Sequence, residues 1–360
     1  MKLFTTSQIR VLDQYTIEHE PISSASLMER AANRILLQFK KDIRIGSDIL
    51  ILAGPGNNGG DGLALGRMLL QVGYDVEIIL INPGKLSPDC KLNKERLTEY
   101  FPDTLSEISH SFSPAELSEK AIIVDAVFGS GLSRPLTGIF REVVEWINNS
   151  GRKIISIDIP TGLNGEACAK KDDTIVRADL TYSLQFPKLS FFFAENEEYV
   201  GEWKVIDIQL LPHAIDKTET DYFYIEKEDI RPLLQPRSRF SHKGTFGHAL
   251  IWAGKKGMAG AAILASKGAL RAGAGLLSVH SVEENRQILQ TAVPEAIFLT
   301  KIKNPENYTS CAFGPGIGTS NEASEILFQL LESIQSPCIL DADALNIISE
   351  NKRFLSLIPT

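Results

Sequence analysis

The chain has 360 residues, 43% hydrophobic and 23% charged, with a formal net charge of −8 and a pI near 5.4. That length allows two domains with full cores, and the acidity excludes a general nucleic-acid or membrane surface, since neither polyanion would be attracted. The N-terminus MKLFTTSQIR lacks a signal-peptide core, no run approaches the ~20 apolar residues of a membrane span, and Cys90, Cys168, Cys311 and Cys338 form no CxxC pair; a cytoplasmic protein with scattered buried thiols is expected.

Thr6 or Ser7 is placed to cap a first helix carrying Ile9, Leu12 and Ile17. Ser26 and Glu29 fit a capping box for a second, whose Met28, Ala31, Ala32, Ile35, Leu36 and Phe39 recur on one face. Apolar runs follow at 49–53, 76–81, 122–127, 154–159, 180–186 and 204–208, separated by helical stretches. Rich in Val and Ile without alternation, they read as strands covered on both faces and predict a doubly wound α/β domain. From 212 to 235 the pattern lapses into polar, acidic sequence, which marks a domain boundary. Beyond Pro236 a second α/β pattern begins, with strands at 248–253, 276–282, near Cys311 and at 338–340, and a Gly- and Ala-rich helix at 258–272.

Between Gly54 and Gly62 the chain reads GPGNNGGDG, after one apolar run and before the helical pattern Leu63, Leu65, Met68, Leu69. Such glycines let the backbone approach a ligand, and the helix N-terminus that follows suits an anion. Asn57, Asn58 and Asp61 add amides and a carboxylate that a bare phosphate cradle does not need. Two more polar clusters end later strands: Asp125 with the segment Phe128 to Pro135, and Asp158 with Pro160, Thr161 and Gly162. In an open α/β sheet, ligands bind beyond the carboxyl ends of the strands, so the three clusters should converge. Taken singly, Asp125 also suits a turn cap, Asp158 with Thr161 an Asx-type turn, and Asn58 a turn residue with positive φ.

Gly54, Gly56 and Gly59 match the GxGxxG of a nicotinamide-dependent dehydrogenase, but the acid that would hold the ribose is missing from the end of the second strand. Asp75 and Glu77 lie at its start. No Lys followed by Ser or Thr closes the glycine segment, which excludes a Walker-type P-loop.

The set GPGNNGGDG, DAVFGSGLSRPLTG and SIDIPTGLNG, preceded by LMERAA, closely resembles the NAD(P)H-hydrate epimerase family over residues 1–213. The resemblance implies a Rossmann-like three-layer domain that interconverts the R and S forms of hydrated NADH or NADPH. It implies that Asn57, Asn58, Gly59, Gly60 and Asp61, together with Gly129, Ser130, Gly131, Leu132, Ser133, Arg134 and Pro135, hold the substrate, with Asp158 touching it. It also implies that Asn58, Asp125 and Thr161 give oxygen ligands to a potassium ion. Inverting a hemiaminal-like carbon needs a carboxylate within hydrogen-bond reach, and Asp158 is the candidate catalytic group, Asp125 being assigned to the cation. Lys188 is either a secondary contact for pyrophosphate or a solvated lysine.

From Ser241 the chain reads SHKGTFGHALIWAGKKGMAGAAILASKGALRAGAGLLSV, then FGPGIG and LDADALNII. These motifs resemble the first part of the ADP- or ATP-dependent NAD(P)H-hydrate dehydratase, a ribokinase-like fold, here spanning 236–360 after a linker at 214–235. The resemblance places Ala261, Gly316 and Asp343 near the hydrated cofactor. The family's threonine-proline-histidine turn, nucleotide-binding lysine-glycine segment and glycine-serine-glycine-aspartate loop do not occur, so an incomplete domain without dehydratase activity is expected. Its exposed sheet edge invites pairing with another copy, and a homo-oligomer is expected. A different reading keeps the glycine segments as a non-catalytic nucleotide-binding or sensing module.

Overall fold

The structure, a computed structural model, describes residues 1–113, 117–132, 134–234 and 236–358. The chain divides into two compact units, Met1–Leu233 and Leu234–Thr360. In the first, β1 (Lys2–Leu3), α1 (Thr6–His19) and α2 (Ser24–Asp42) precede β2 (Asp48–Ala53), α3 (Asn57–Gln71), β3 (Asp75–Ile81), α4 (Pro88–Tyr100) and β4 (Leu105–Ile108). Then come β5 (Ile122–Ala126), α5 (Ile139–Asn149), β6 (Lys153–Ile157), β7 (Leu180–Leu184), β8 (Glu202–Ile206) and β9 (Tyr222–Phe223). Seven parallel strands form one sheet in the order β4-β3-β2-β5-β6-β7-β8.

Alternate residues of β2 serve opposite layers, as the period-2 pleat requires. Ile49, Ile51 and Ala53 join the core built with Ile35 and Phe39 of α2 and Leu63 of α3, while Leu50 and Leu52 join Val143, Val144 and Ile147 of α5. Burial on both faces explains the continuous apolar runs. β4 escaped the sequence reading because LSEI is a half-exposed edge strand with no such run.

The caps differ from expectation. Thr5, not Thr6 or Ser7, caps α1 in a box with Gln8, and Ser23 caps α2 through Ser26 N–H. The box expected at Ser26 and Glu29 lies inside α2, whose first turn begins two residues earlier. Most of the stretch expected as a linker at 214–235 is bound to the first unit. Tyr222 and Phe223 pair antiparallel with Leu3 and Lys2, and Lys2 Nζ donates to the carbonyls of Asp216 and Thr218 at 2.7 and 2.9 Å. Backbone pairing of this kind leaves no hydrophobic period to read.

In the second unit β10 (His248–Trp252), β11 (Leu276–His280), β12 (Ile297–Leu299), β13 (Ser310–Phe313) and β14 (Cys338–Leu340) form a parallel sheet in the order β12-β11-β10-β13-β14. The helix Ala259–Ala272 covers one face through Ala262, and the helix Asn321–Ser333 the other through Leu327. β14 is an edge, with Ile339 67% exposed. Among the described residues no helix is long and apolar enough to cross a membrane. Cys90 and Cys311 are buried as expected, but Cys168 is exposed.

Candidate functional site

The first sheet changes direction of growth at β2 and β5: β3 and β4 extend it one way, β6 to β8 the other. A crevice forms at such a reversal because the connections leave on opposite faces. Here a cavity of about 450 Å³ opens there, walled by Gly56, Asn57, Asn58 and Asp61 after β2, the segment Val127 to Leu132 after β5, and Asp158 after β6. Ile9, Arg10 and Asp13 of α1 close another side, with Leu184, Gln185 and Ile208 beyond β7 and β8.

The glycine segment is not a loop ahead of the helix. Asn57 to Gly62 are the first turns of α3, so Asn58 is helical rather than a positive-φ turn residue. A Cβ on Gly54 would fall 1.9 Å from the Val127 carbonyl oxygen, and one on Gly59 would fall 1.7 Å from that of Gly54. These two glycines therefore let the end of β2 press against its neighbours, which aims the free N–H groups of α3 into the cleft. Gly60 backs onto Met28, and neither Gly59 nor Gly60 lines the cavity.

Asp158 has φ +68°, a left-handed conformation uncommon outside glycine. Its Oδ1 lies 2.7 Å from Lys188 Nζ and its Oδ2 accepts from Ser130 N–H at 3.1 Å. Burial would raise its pKa, but the Lys188 charge and the hydrogen bonds from Lys188 and Ser130 outweigh it and hold the carboxyl below its usual value. Lys188 is buried, and its two other N–H groups are shared among Ser183 Oγ and the carbonyls of Leu184 and Phe186. It is thus not a solvated lysine, and it does not form part of the cavity wall. The Asx-type turn is absent too, because the Asp158 carboxylate reaches across to Ser130 after β5 and Lys188 after β7.

Asp125 is fully buried and accepts from Val127 N–H, Ser156 Oγ, Thr161 N–H and Thr161 Oγ, the last at 2.6 Å. Burial still raises its pKa. No lysine, arginine or histidine among the described residues pairs with it. Asn58 is buried as well, and neither its Oδ1 nor its Nδ2 has a hydrogen-bond partner among the described residues. Gly129 joins the two regions: a Cβ there would sit 3.1 Å from Asp158 Oδ2 and 3.4 Å from the Asn58 side chain.

Of the residues named from sequence, the cleft thus gathers Asn57, Asn58, Asp61, Gly129, Ser130, Gly131, Leu132 and Asp158. Arg134 and Pro135 are exposed away from its lining, and Ser133 lies outside the described residues. Sequence reading missed Arg10, Asp13 and Gln185. Arg10 and Asp13 are three apart on α1, a polar stripe beside the apolar Ile9 and Leu12, and that spacing was the available signal. Arg10 reaches over the Gly131 loop, where a Cβ would meet Nη2 at 2.8 Å.

In the second unit Ala261 and Gly316 approach closely, a Cβ on Gly316 falling 3.0 Å from that of Ala261. Asp343 Oδ2 accepts from Gly318 N–H at 2.7 Å. Gly316 thus lies in the turn after β13 and Asp343 opens the helix after β14, while Ala261 sits in the first turn of the helix Ala259–Ala272 that follows β10. A cavity of about 870 Å³ in this unit, with Trp252, Lys255 and His280 in its wall, does not include them.

Comparison with known proteins agrees with this division. The family model described as YjeF-related protein N-terminus matches residues 24–190, and that described as NAD(P)H-hydrate dehydratase matches 249–358. The chain is 33% identical to the bifunctional NAD(P)H-hydrate repair enzyme of Thermofilum pendens, over 99% of this chain and 71% of the relative. It is 31% identical to the enzyme of the same name from Dictyoglomus turgidum, over 97% and 71%. The NAD(P)H-hydrate epimerase of Lentilactobacillus buchneri is 39% identical over 57% of this chain and 93% of the relative.

Proposed function

The chain belongs to the family of bifunctional NAD(P)H-hydrate repair enzymes, with an epimerase-type and a dehydratase-type domain, and from that premise we propose that its first unit interconverts the R and S forms of hydrated NADH and NADPH. The observation that carries this is the Asp158 carboxylate, pinned by Lys188 and Ser130 N–H at the wall of the cleft. The hydroxyl-bearing carbon of the hydrate adjoins the ring nitrogen, so loss of the hydroxyl leaves a planar cation that water can re-enter from either face. A carboxylate held ionised accepts a proton from that water and stabilises the cation, but does not serve as an acid near neutral pH. The N-terminus of α3 and Arg10 suit the pyrophosphate. Residues 129–132 and Asn57 suit the remainder of the dinucleotide. When the separated R hydrate is incubated with the protein, the S form is expected to appear without added nucleotide, measured by chromatography; recovery of R alone overturns the assignment.

A potassium ion fits the neighbouring groups. The buried, unpartnered Asn58 amide and the buried Asp125 carboxylate without a cation are what an oxygen-lined monovalent site requires. Asn58, Asp125 and Thr161 would hold it. The ion supplies fixed positive charge beside the substrate. Exchanging sodium for potassium at constant ionic strength is expected to raise the melting temperature, since an ion at ten to one hundred times its Kd adds about 1.4–2.7 kcal/mol. Asp125→Asn should remove the effect, and equal melting in both salts would exclude the site.

For the second unit we propose that the 360 residues taken alone do not dehydrate the hydrate. The motifs absent from the sequence support this, with Asp343 already bound to Gly318 N–H. ADP- or ATP-dependent recovery of intact reduced cofactor would refute it. Association into a homo-oligomer through the exposed edge strand β14 is part of the same reading, and sedimentation as a monomer would refute that part.

A further inference from the structure

Epimerisation needs two proton carriers, and Asp158 supplies only the acceptor. We propose that Asp13 of α1 is the proton donor to the departing hydroxyl, an inference that rests on the epimerase reading above. Asp13 and Asp158 line the same cleft from different walls, one on a helix and one at a strand tip. The two carboxylates are unlike. Asp158 is fastened on both oxygens, whereas no described group hydrogen-bonds Asp13, whose side chain also borders an adjoining cavity of about 270 Å³ between α1, α2 and α3. A half-buried carboxyl without a partner, facing a ligand cleft, is free to turn its O–H toward a substrate oxygen.

The charged groups around it are Arg10 on its own helix, Asp61 of α3, Asp158 after β6 and Lys188 beyond β7. Burial and the Asp158 charge push the Asp13 carboxyl up to about 6, with Lys188 opposing. Asp61 is raised as well, by its own burial and by Asp158, Asp13 and Asp89. Two carboxylates of one site driven in opposite directions are the pattern of an acid and a base.

The protons balance. Asp13 gives its proton to the hydroxyl, the C–O bond breaks with its electron pair leaving on water, and the ring-nitrogen lone pair forms the C=N bond. A water on the opposite face then bonds to carbon, gives one proton to Asp158, and returns the C=N pair to nitrogen. One proton has moved from Asp13 to Asp158. Exchange with solvent restores both groups between turnovers.

The test compares the wild type, Asp13→Asn and Asp13→Glu on the separated R hydrate from pH 5 to 9. Asp13→Asn is expected to lower kcat by about 10²–10⁴-fold with little change in KM. The wild type is expected to lose kcat/KM above about pH 6, a fall that Asp13→Asn should abolish and Asp13→Glu should keep. Asp13→Asn should melt at a higher temperature than the wild type above about pH 6, because an ionised, half-buried carboxylate is removed. An Asp13→Asn enzyme with wild-type kcat and the same pH profile overturns the inference. If that variant does not fold, Asp13→Glu decides: a retained fall supports the donor and a flat profile excludes it. A wild type that does not epimerise overturns the reaction itself, whereas an active wild type with an unaffected Asp13→Asn overturns only the donor.

Discussion

Asp158→Asn is expected to reduce epimerisation by about 10²–10⁴-fold, because the amide cannot take a proton from water and carries no charge toward a cationic intermediate. Substrate affinity should fall far less, since the α3 N-terminus and the 129–132 segment are untouched. A non-catalytic sensor, by contrast, would have no turnover to lose. The same change leaves Lys188 buried without its anion, which costs about 3–5 kcal/mol when one partner of such a pair is removed. Replacing both, as Asp158→Asn with Lys188→Met, should recover most of the melting temperature and none of the activity. The pH sense follows from the direction of the shift. The Asp158 carboxyl is held below its ordinary 3.8 in the folded chain, so its stabilisation is fully present above that value and is lost as pH falls through the lower, folded one. Wild type and the double variant should therefore differ most in acid stability, and equal acid midpoints would contradict the ion pair.

Gly59→Ala is the second large effect. Its Cβ would lie 1.7 Å from the Gly54 carbonyl oxygen and 2.6 Å from the carbonyl carbon, backbone atoms that cannot rotate away. Gly54 is itself wedged against Val127, so the start of α3 must move as a body. Overpacking of this kind costs on the order of 3 kcal/mol or more and withdraws the helix N-terminus from the cleft. We expect a lower denaturation midpoint and a large rise in KM. Gly56→Ala is the control, since its φ is −91° and nothing lies within 4 Å of the added Cβ. Its stability should stay within about 0.5 kcal/mol of the wild type. Equal destabilisation by both variants, measured in denaturant, would contradict the close approach at Gly59.

Much of the scaffold was legible before any coordinates. The Val- and Ile-rich runs marked the strands from β2 to β8 except β4, because burial on both faces leaves a contiguous apolar signature that needs no knowledge of neighbours. The glycines of 54–62 and the polar residues at 125 and 158 were legible as strand-end clusters for the same local reason. Titration and pairing were not. Asp13 was missed in the sequence, because its raised pKa comes from burial and from the charge of Asp158, with Lys188 opposing, all set by residues far away in sequence. Lys188 read as a pyrophosphate contact or a solvated lysine, because its partners are a carboxylate after β6 and carbonyls exposed only by the way the chain turns after β7. Periodicity records which face of an element meets a core, and sequence determines that by itself. Which ionisable groups share a desolvated cleft depends on how the elements dock, and here only the tertiary structure decided it.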